Sequence, residues 1–224
     1  DLKKFNYIGN INSGLGLIYL NGVYSFDKEK NFRQYSGQIK SNRLNLNKIA
    51  ANNLLGEAAF NIQLKCSAYG KKLRGKMEGD IRHLDFKGYR YKKIETDVVF
   101  GNNSVEGVVA LNDPNGQLSV SGLAKLDGVN TVMDIDVLVA DACLDKLNLD
   151  TKHPDHKLNA RLEASFTGNN PDNMEGDIII SDIRYTDADN NGLHLDHFDI
   201  SSREKDGGKY MTVNTDFLNG HIDG

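Results

Sequence analysis

The chain has no tryptophan, only three prolines and two cysteines in 224 residues, and no long hydrophobic run. Each scarcity excludes something. No apolar stretch approaches the ~18 residues that mark a membrane-spanning helix, and no signal-like hydrophobic segment opens the sequence. Cys66 and Cys143 allow at most one disulfide, and nothing in their spacing demands it. In FNIQLKCSA (60–68) every second residue is apolar and Cys66 falls on that side, the position of a small buried hydrophobe. The 27 basic and 31 acidic residues are mixed along the chain without a basic stripe, so nucleic acid is not an expected partner.

Glycine and asparagine are abundant instead, 47 residues together. Both favour turns, glycine because it takes positive φ freely and asparagine because it tolerates it. The length suits one large all-β domain or two small ones. The pattern is already under way at Asp1 and is unfinished at HIDG, so the expectation is one elongated domain, residues 1–224, cut from a longer chain.

The period of the sequence is two. In LNARLEASF (158–166), Leu158, Ala160, Leu162, Ala164 and Phe166 share one face, and Asn159, Arg161, Glu163 and Ser165 share the other. From Thr96 to Val139, four such strands are cut by GNNS, DPNG and DGVN. These connections are too short for crossover helices, which predicts antiparallel neighbours in a meander. At one strand per 8–12 residues the chain holds roughly 18–25 strands. Helical pattern is confined to Asn47–Leu55 and Ala140–Leu147, each short enough to need packing against a sheet.

The phrase MEGDI occurs twice, in Lys76–Phe86 and again in Asn173–Ile183, and matches no active-site signature. Looser copies with a glycine inside an alternating strand are YSGQI, VEGVV, VSGLA and LNGHI. Repetition at strand level indicates a sheet extended hairpin by hairpin, in units of about 35–125 and 126–224, with glycines that let the backbone bend. The phrase is architectural.

The stretches LNLNKIAANNLLGEAAFNIQLKCSAYG, MEGDIRHLDFKGYRYKKIETDVVFGNNSVEGVVALNDPNGQLSVSGLAKLD, LNARLEASFTGNNPDNMEGDIIISDIRYTD and VNTDFLNGHIDG together resemble the repeating β-domain of TamB-like proteins. These belong to the wider AsmA-like group of the Gram-negative envelope. The resemblance covers roughly residues 35–224. It implies an elongated antiparallel sheet curled into an open groove, apolar inside and polar outside. It also implies a periplasmic segment of a protein anchored in the inner membrane, with phospholipid acyl chains or outer-membrane assembly partners as its contacts. No enzymatic activity or cofactor is implied.

The alternating strands nominate a trough lined by Phe60, Ile62, Leu64, Val109, Leu111, Leu118, Val120, Ile135, Val137, Leu162 and Phe166. Pattern alone favours a closed β-sandwich in which these residues form the core, a secreted or surface module binding glycan or protein; the resemblance favours the trough. Solvent-facing Tyr89, Tyr91 and Tyr185 would be the contacts of such a module.

Other constellations are weaker. DADNNG at Asp187–Gly192 starts like a calcium loop, but Phe198 stands where the loop needs its bidentate carboxylate. His194 and His197 face opposite ways on a strand, and His153 and His156 lack a third ligand. Asp134 and Asp136 alternate with Met133, Ile135 and Val137, the wet side of a strand. Tyr89, Arg90, Tyr91, Lys92 and Lys93 read as a charged sheet edge protected against pairing.

Overall fold

The structure, a computed structural model, describes residues 3–205 and 207–223. It is all-β, as the alternation requires, and divides into two compact units, 1–114 and 115–224, at the DPNG turn. The first holds β1 (Lys3–Ser13), β2 (Gly16–Asp27), β3 (Phe32–Asn45), β4 (Leu55–Tyr69), β5 (Lys72–Phe86), β6 (Tyr89–Gly101) and β7 (Ser104–Asp113). The second holds β8 (Gly116–Lys125), β9 (Val132–Cys143), β10 (Lys157–Thr167), β11 (Glu175–Thr186), β12 (Gly192–Lys205), β13 (Gly208–Thr215) and β14 (Asn219–Asp223). Within each unit the strands lie in chain order, every pair antiparallel, and the sheet stays open.

Among the described residues fourteen strands replace the larger number expected, because individual strands reach 15 residues before they turn. Several of the turns are two residues long. Lys87-Gly88 and Asn102-Asn103 each place two residues at positive φ, the backbone twist that matches two antiparallel strands.

The helical expectation holds once. Helix α1 (Leu46–Ala50) is capped by Asn45, whose side-chain oxygen accepts the Lys48 N–H at 3.0 Å, and it ends on Ala51 at φ 49. None of its residues is buried. Ala140–Leu147 is not helical. Strand β9 continues through Cys143, and Leu144–Leu147 forms turns that bury Leu147. The ladder takes Lys157↔Cys143 and Leu158↔Ala142 as pairs, and those backbone bonds outcompete one turn of helix.

The MEGDI copies fall in β5 and at the start of β11. Gly79 (φ 150) lies in the middle of β5 and Gly176 (φ 140) is the second residue of β11, and at both positions neighbouring backbone fills the space of a side chain. A Cβ on Gly79 would stand 2.3 Å from the Asn61 carbonyl oxygen; one on Gly176 would stand 2.1 Å from that of Ser165. The residue paired with each on the following strand is a small hydroxyl side chain, Thr96 or Ser202, and both are buried. The repeat is therefore a device for close strand approach.

At one end of each unit the regular ladder breaks. Lys93 in β6, Asp141 in β9 and Asp182 in β11 take φ between 50 and 55, and register shifts fall at Ala59/Phe60 and Leu158/Ala160. A bulge frees backbone groups that must find partners elsewhere. Here side chains from adjoining strands, or from the turn that follows one, supply them. Asp113 Oδ2 accepts the Lys92 N–H at 2.9 Å, Asn159 Oδ1 accepts the Asp141 N–H at 2.9 Å, and Asp216 Oδ2 accepts the Asp196 N–H at 2.6 Å. Past this level lie several buried side chains, Leu44, Ala58, Ala59 and Tyr91 in the first unit and Ala142, Cys143 and Leu147 in the second, while Val98 and Ala164 are buried farther along the strands. Each unit thus has one end closed by packing.

Elsewhere the packing is thin. Among the described residues, the only side chains without any exposure are Ser41 and Ser202, both at 0%. A closed sandwich would submerge its inward aliphatic residues completely. Within each unit the sheet stays open and its inward aliphatic residues keep part of their exposure, which agrees with the expected open sheet.

Candidate functional site: the apolar faces

Residues paired across an antiparallel ladder lie on the same face, so the registers settle which side chains meet. In the first unit Phe60 pairs with Ser41 and Ile81, Ile62 with Ile39 and Gly79, and Leu64 with Gly37 and Met77. The same face continues through Ile94, Thr96 and Val98 of β6 to Leu111, Val109 and Gly107 of β7. In the second unit Leu118 faces Val139, Val120 faces Val137, and Gly122 faces Ile135. Leu162 then pairs with Val137 and Ile180, and Phe166 with Met133 and Gly176.

All eleven residues nominated from the sequence therefore stand on an apolar face, five in the first unit and six in the second. Their exposure is intermediate, and Val109 reaches 38%. A packed core would hide them; these faces leave them open to water. The sequence list missed Tyr35, Ile39, Met77 and Val98 in the first unit and Ile178, Ile180, Phe198 and Ile200 in the second. Glycines and serines interrupt alternation in those strands, and only the register reveals the partners.

The opposite faces carry the charges, which pair across strands, with Val99, Val108, Leu138 and Ile179 exposed among them. Lys76 Nζ lies 2.9 Å from Asp97 and 3.2 Å from Glu78, and Arg203 grips the Asp177 carboxylate with its Nη2 at 2.6 and 2.8 Å. Asp134 and Asp136 are exposed on this side, where the alternation puts them.

The expectation of a charged sheet edge at Tyr89–Lys93 is overturned. Strand β6 is flanked by β5 and β7, so it is interior to its sheet. Tyr91 is only 8% exposed, Tyr89 donates its hydroxyl to Asp113 Oδ1 at 2.6 Å, and Arg90 clasps Asp85 at 2.6 and 2.8 Å. These charges and rings serve the closed end of the unit. Tyr91 is not a solvent-facing contact.

The turn at Asp187–Gly192 uses its own carboxylate. Asp187 Oδ1 accepts the Asp189 and Asn191 N–H groups at 2.9 Å each, and Phe198 lies on the apolar side of β12, paired with Ile180. Among the described residues no three histidine, cysteine or acidic side chains are grouped to hold a metal ion, and both cysteines are free thiols. Cys66, paired with Tyr35 and Gly75, lies on the apolar face.

His153 and His156 instead join a clasp. Asp150 Oδ2 lies 2.9 Å from His153 Nδ1 and accepts the Tyr185 hydroxyl at 3.0 Å, and the ring of His156 lies 5.1 Å from that of Tyr185. The His153 hydrogen bond, then the Lys152 N–H, then Tyr185 hold the Asp150 carboxyl down to about 2. A folded-state pKa below the unfolded value gives stability that is complete above ~3.9 and is lost as pH falls toward ~2. Thermal melting of the wild type should therefore weaken in that window more than melting of Asp150→Asn. Parallel pH profiles for the two proteins would contradict the clasp.

No helix among the described residues is long and apolar enough to cross a membrane, which leaves strands unaddressed. No protein-family model matches the chain, and neither does any curated protein or solved structure.

Proposed function

We propose that each apolar face holds acyl chains, and that the chain is a non-enzymatic segment of a TamB-like envelope protein serving phospholipid transport or outer-membrane assembly. One observation carries the reading. A contiguous face of aliphatic and aromatic side chains, several strands wide, is left half-exposed on an open sheet. Soluble monomers seldom leave such faces bare unless something binds there. Covering them with a lipid tail gains about 0.8 kcal/mol per methylene removed from water. The anchor in the inner membrane and the periplasmic location belong to the same proposal and rest on the resemblance.

Photocrosslinking groups placed at Leu64, Val120 and Ile135 should yield lipid adducts after incubation with phospholipid vesicles. No adduct at any of the three sinks the groove reading.

The same proposal fixes the outcome of a charge substitution. Val120→Asp places a carboxylate on a face that water reaches, so its urea midpoint should stay close to that of Ser121→Asp, while lipid adducts at Ile135 fall. A buried carboxylate without a partner is severely destabilising. A collapse of Val120→Asp alone would mean that the face is core.

A further inference from the structure

The charges read as mixed along the sequence separate once the units are known. Residues 1–114 carry 18 lysines and arginines against 11 acids, whereas residues 115–224 carry 9 against 20. Part of the first unit's excess stands on the charged face of its sheet, opposite the apolar one, where β2–β3 and β4–β5 turn. The registers build the place from two rows of side chains. Phe32 pairs with Tyr69, and Tyr69 with Lys72. One step along the same face, Gln34 pairs with Ser67, Ser67 with Arg74, and Arg74 with Gly101.

The first row supplies rings and the second supplies polar groups. The Phe32 and Tyr69 rings have their centroids 6.5 Å apart and are tilted by 52°, and Tyr69 is 61% exposed. Arg74 Nε donates to the Ser67 hydroxyl at 3.5 Å. Across from it, a Cβ on Gly101 would stand 2.6 Å from the Cβ of Arg74, so the glycine makes room for the arginine stem. Both rows and the Asn102 turn line a hollow of about 230 Å³. A second hollow of about 310 Å³, with Lys65 and Val99 in its wall, adjoins the first and shares Ser67 and Arg74. Lys65, Lys72 and Arg74 are exposed, and none has a carboxylate partner among the described residues. The next cation along the strand, Lys76, is already held by Asp97 and Glu78.

We propose that these adjoining hollows bind an acidic oligosaccharide, one sugar ring in each, with its carboxylate or phosphate among Lys65, Lys72 and Arg74. The site is independent of the lipid reading, because it stands on the other face of the sheet. The negative face of an aromatic ring attracts the electropositive C–H groups of a pyranose, and the Tyr69 ring is open to receive them. Gln34, Ser67 and Asn102 offer both donors and acceptors to sugar hydroxyls. The guanidinium fork of Arg74 matches a carboxylate or phosphate. Each hollow is at or below the lower end of the roughly 300–1,000 Å³ usual for drug-sized ligands, which fits one ring apiece. A lipid tail is poorly served here, since lysines, Arg74 and amides interrupt every apolar side chain.

Titration calorimetry of the full chain tests this with four probes. Trigalacturonic acid carries carboxylates and glucose 6-phosphate carries a phosphate, whereas maltotriose and inorganic phosphate supply the ring or the charge alone. At least one acidic sugar should bind about tenfold more tightly than either control, and added salt should weaken it. Which of the two binds identifies the anionic group. Tyr69→Ala and Arg74→Gln should each weaken that binding about tenfold. Lys40→Gln removes a cation from the same face outside both hollows and should leave it unchanged.

Binding of neither acidic sugar overturns the proposal. So does maltotriose or inorganic phosphate binding as tightly as the acidic sugar, which would mean a site for the ring or the ion alone. Equal weakening by Lys40→Gln would mean general attraction to a basic surface, with the same consequence. Lipid labelling at Leu64 should be alike in the wild type and Arg74→Gln, which keeps this site's failure distinct from failure of the lipid reading. A fall in that labelling would place Arg74 in the service of the lipid face and overturn the separate site. If Tyr69→Ala unfolds, Tyr69→Thr replaces it and the same loss is required.

Discussion

Gly176→Ala is expected to destabilise the second unit by roughly 2–6 kcal/mol. One part is the cost of forcing an alanine to φ 140; the other is the overlap of its methyl with neighbouring backbone. The new Cβ would stand 2.1 Å from the Ser165 carbonyl oxygen and 2.4 Å from the Phe166 Cα. Neither obstacle is a flexible side-chain end that can swing away; both belong to strand β10. The matching control is Gly220→Ala, in the LNGHI copy of the same phrase, where nothing lies within 4 Å of the added methyl. Its urea midpoint should hardly move. Equal midpoints for the two variants would show that the repeated glycine has no steric purpose.

The second large effect concerns a carboxylate. Asp113 is 4% exposed and accepts both the Tyr89 hydroxyl and the Lys92 N–H, the latter set free by the left-handed residue Lys93. Asp113→Ala strands two donors in a poorly hydrated corner. At about 1–3 kcal/mol for each orphaned group, the loss should be roughly 2–5 kcal/mol. Asp113→Asn keeps an acceptor for one of them and should recover part of the loss. Combining Asp113→Ala with Tyr89→Phe removes one orphan, so the double variant should be less unstable than the sum of the two single variants. Strict additivity in that cycle would contradict the shared hydrogen-bond account.

Strand pattern and pairing order were legible because the period-two signal is local. Leu158–Phe166 declares its dry face in nine residues, and GNNS can hardly do anything but turn. What stayed hidden depends on register. Nothing in TDVVF tells that Thr96 will sit opposite Gly79, and nothing in HFDIS tells that Phe198 will pair with Ile180. The closed ends were also invisible. Lys93 does not advertise a left-handed backbone, Asp141 and Asp182 only tolerate one as many other acids here would, and their caps arrive from distant parts of the chain. The same blindness turned ADACLDKL into a helix, since its spacing of apolar residues fits one turn as well as it fits the end of a strand followed by turns. The apolar-face residues were found by alternation.

Because each strand pairs only with its sequence neighbours inside a unit, every ladder can form as soon as the adjoining hairpin exists. No strand must wait for a distant part of the chain, so the loop-closure entropy that slows many β-proteins is paid in small instalments. Such a sheet can grow by accretion during synthesis or secretion, and its outermost strands are the first to open. The apolar face would then be assembled row by row, with each new hairpin widening it by two strands.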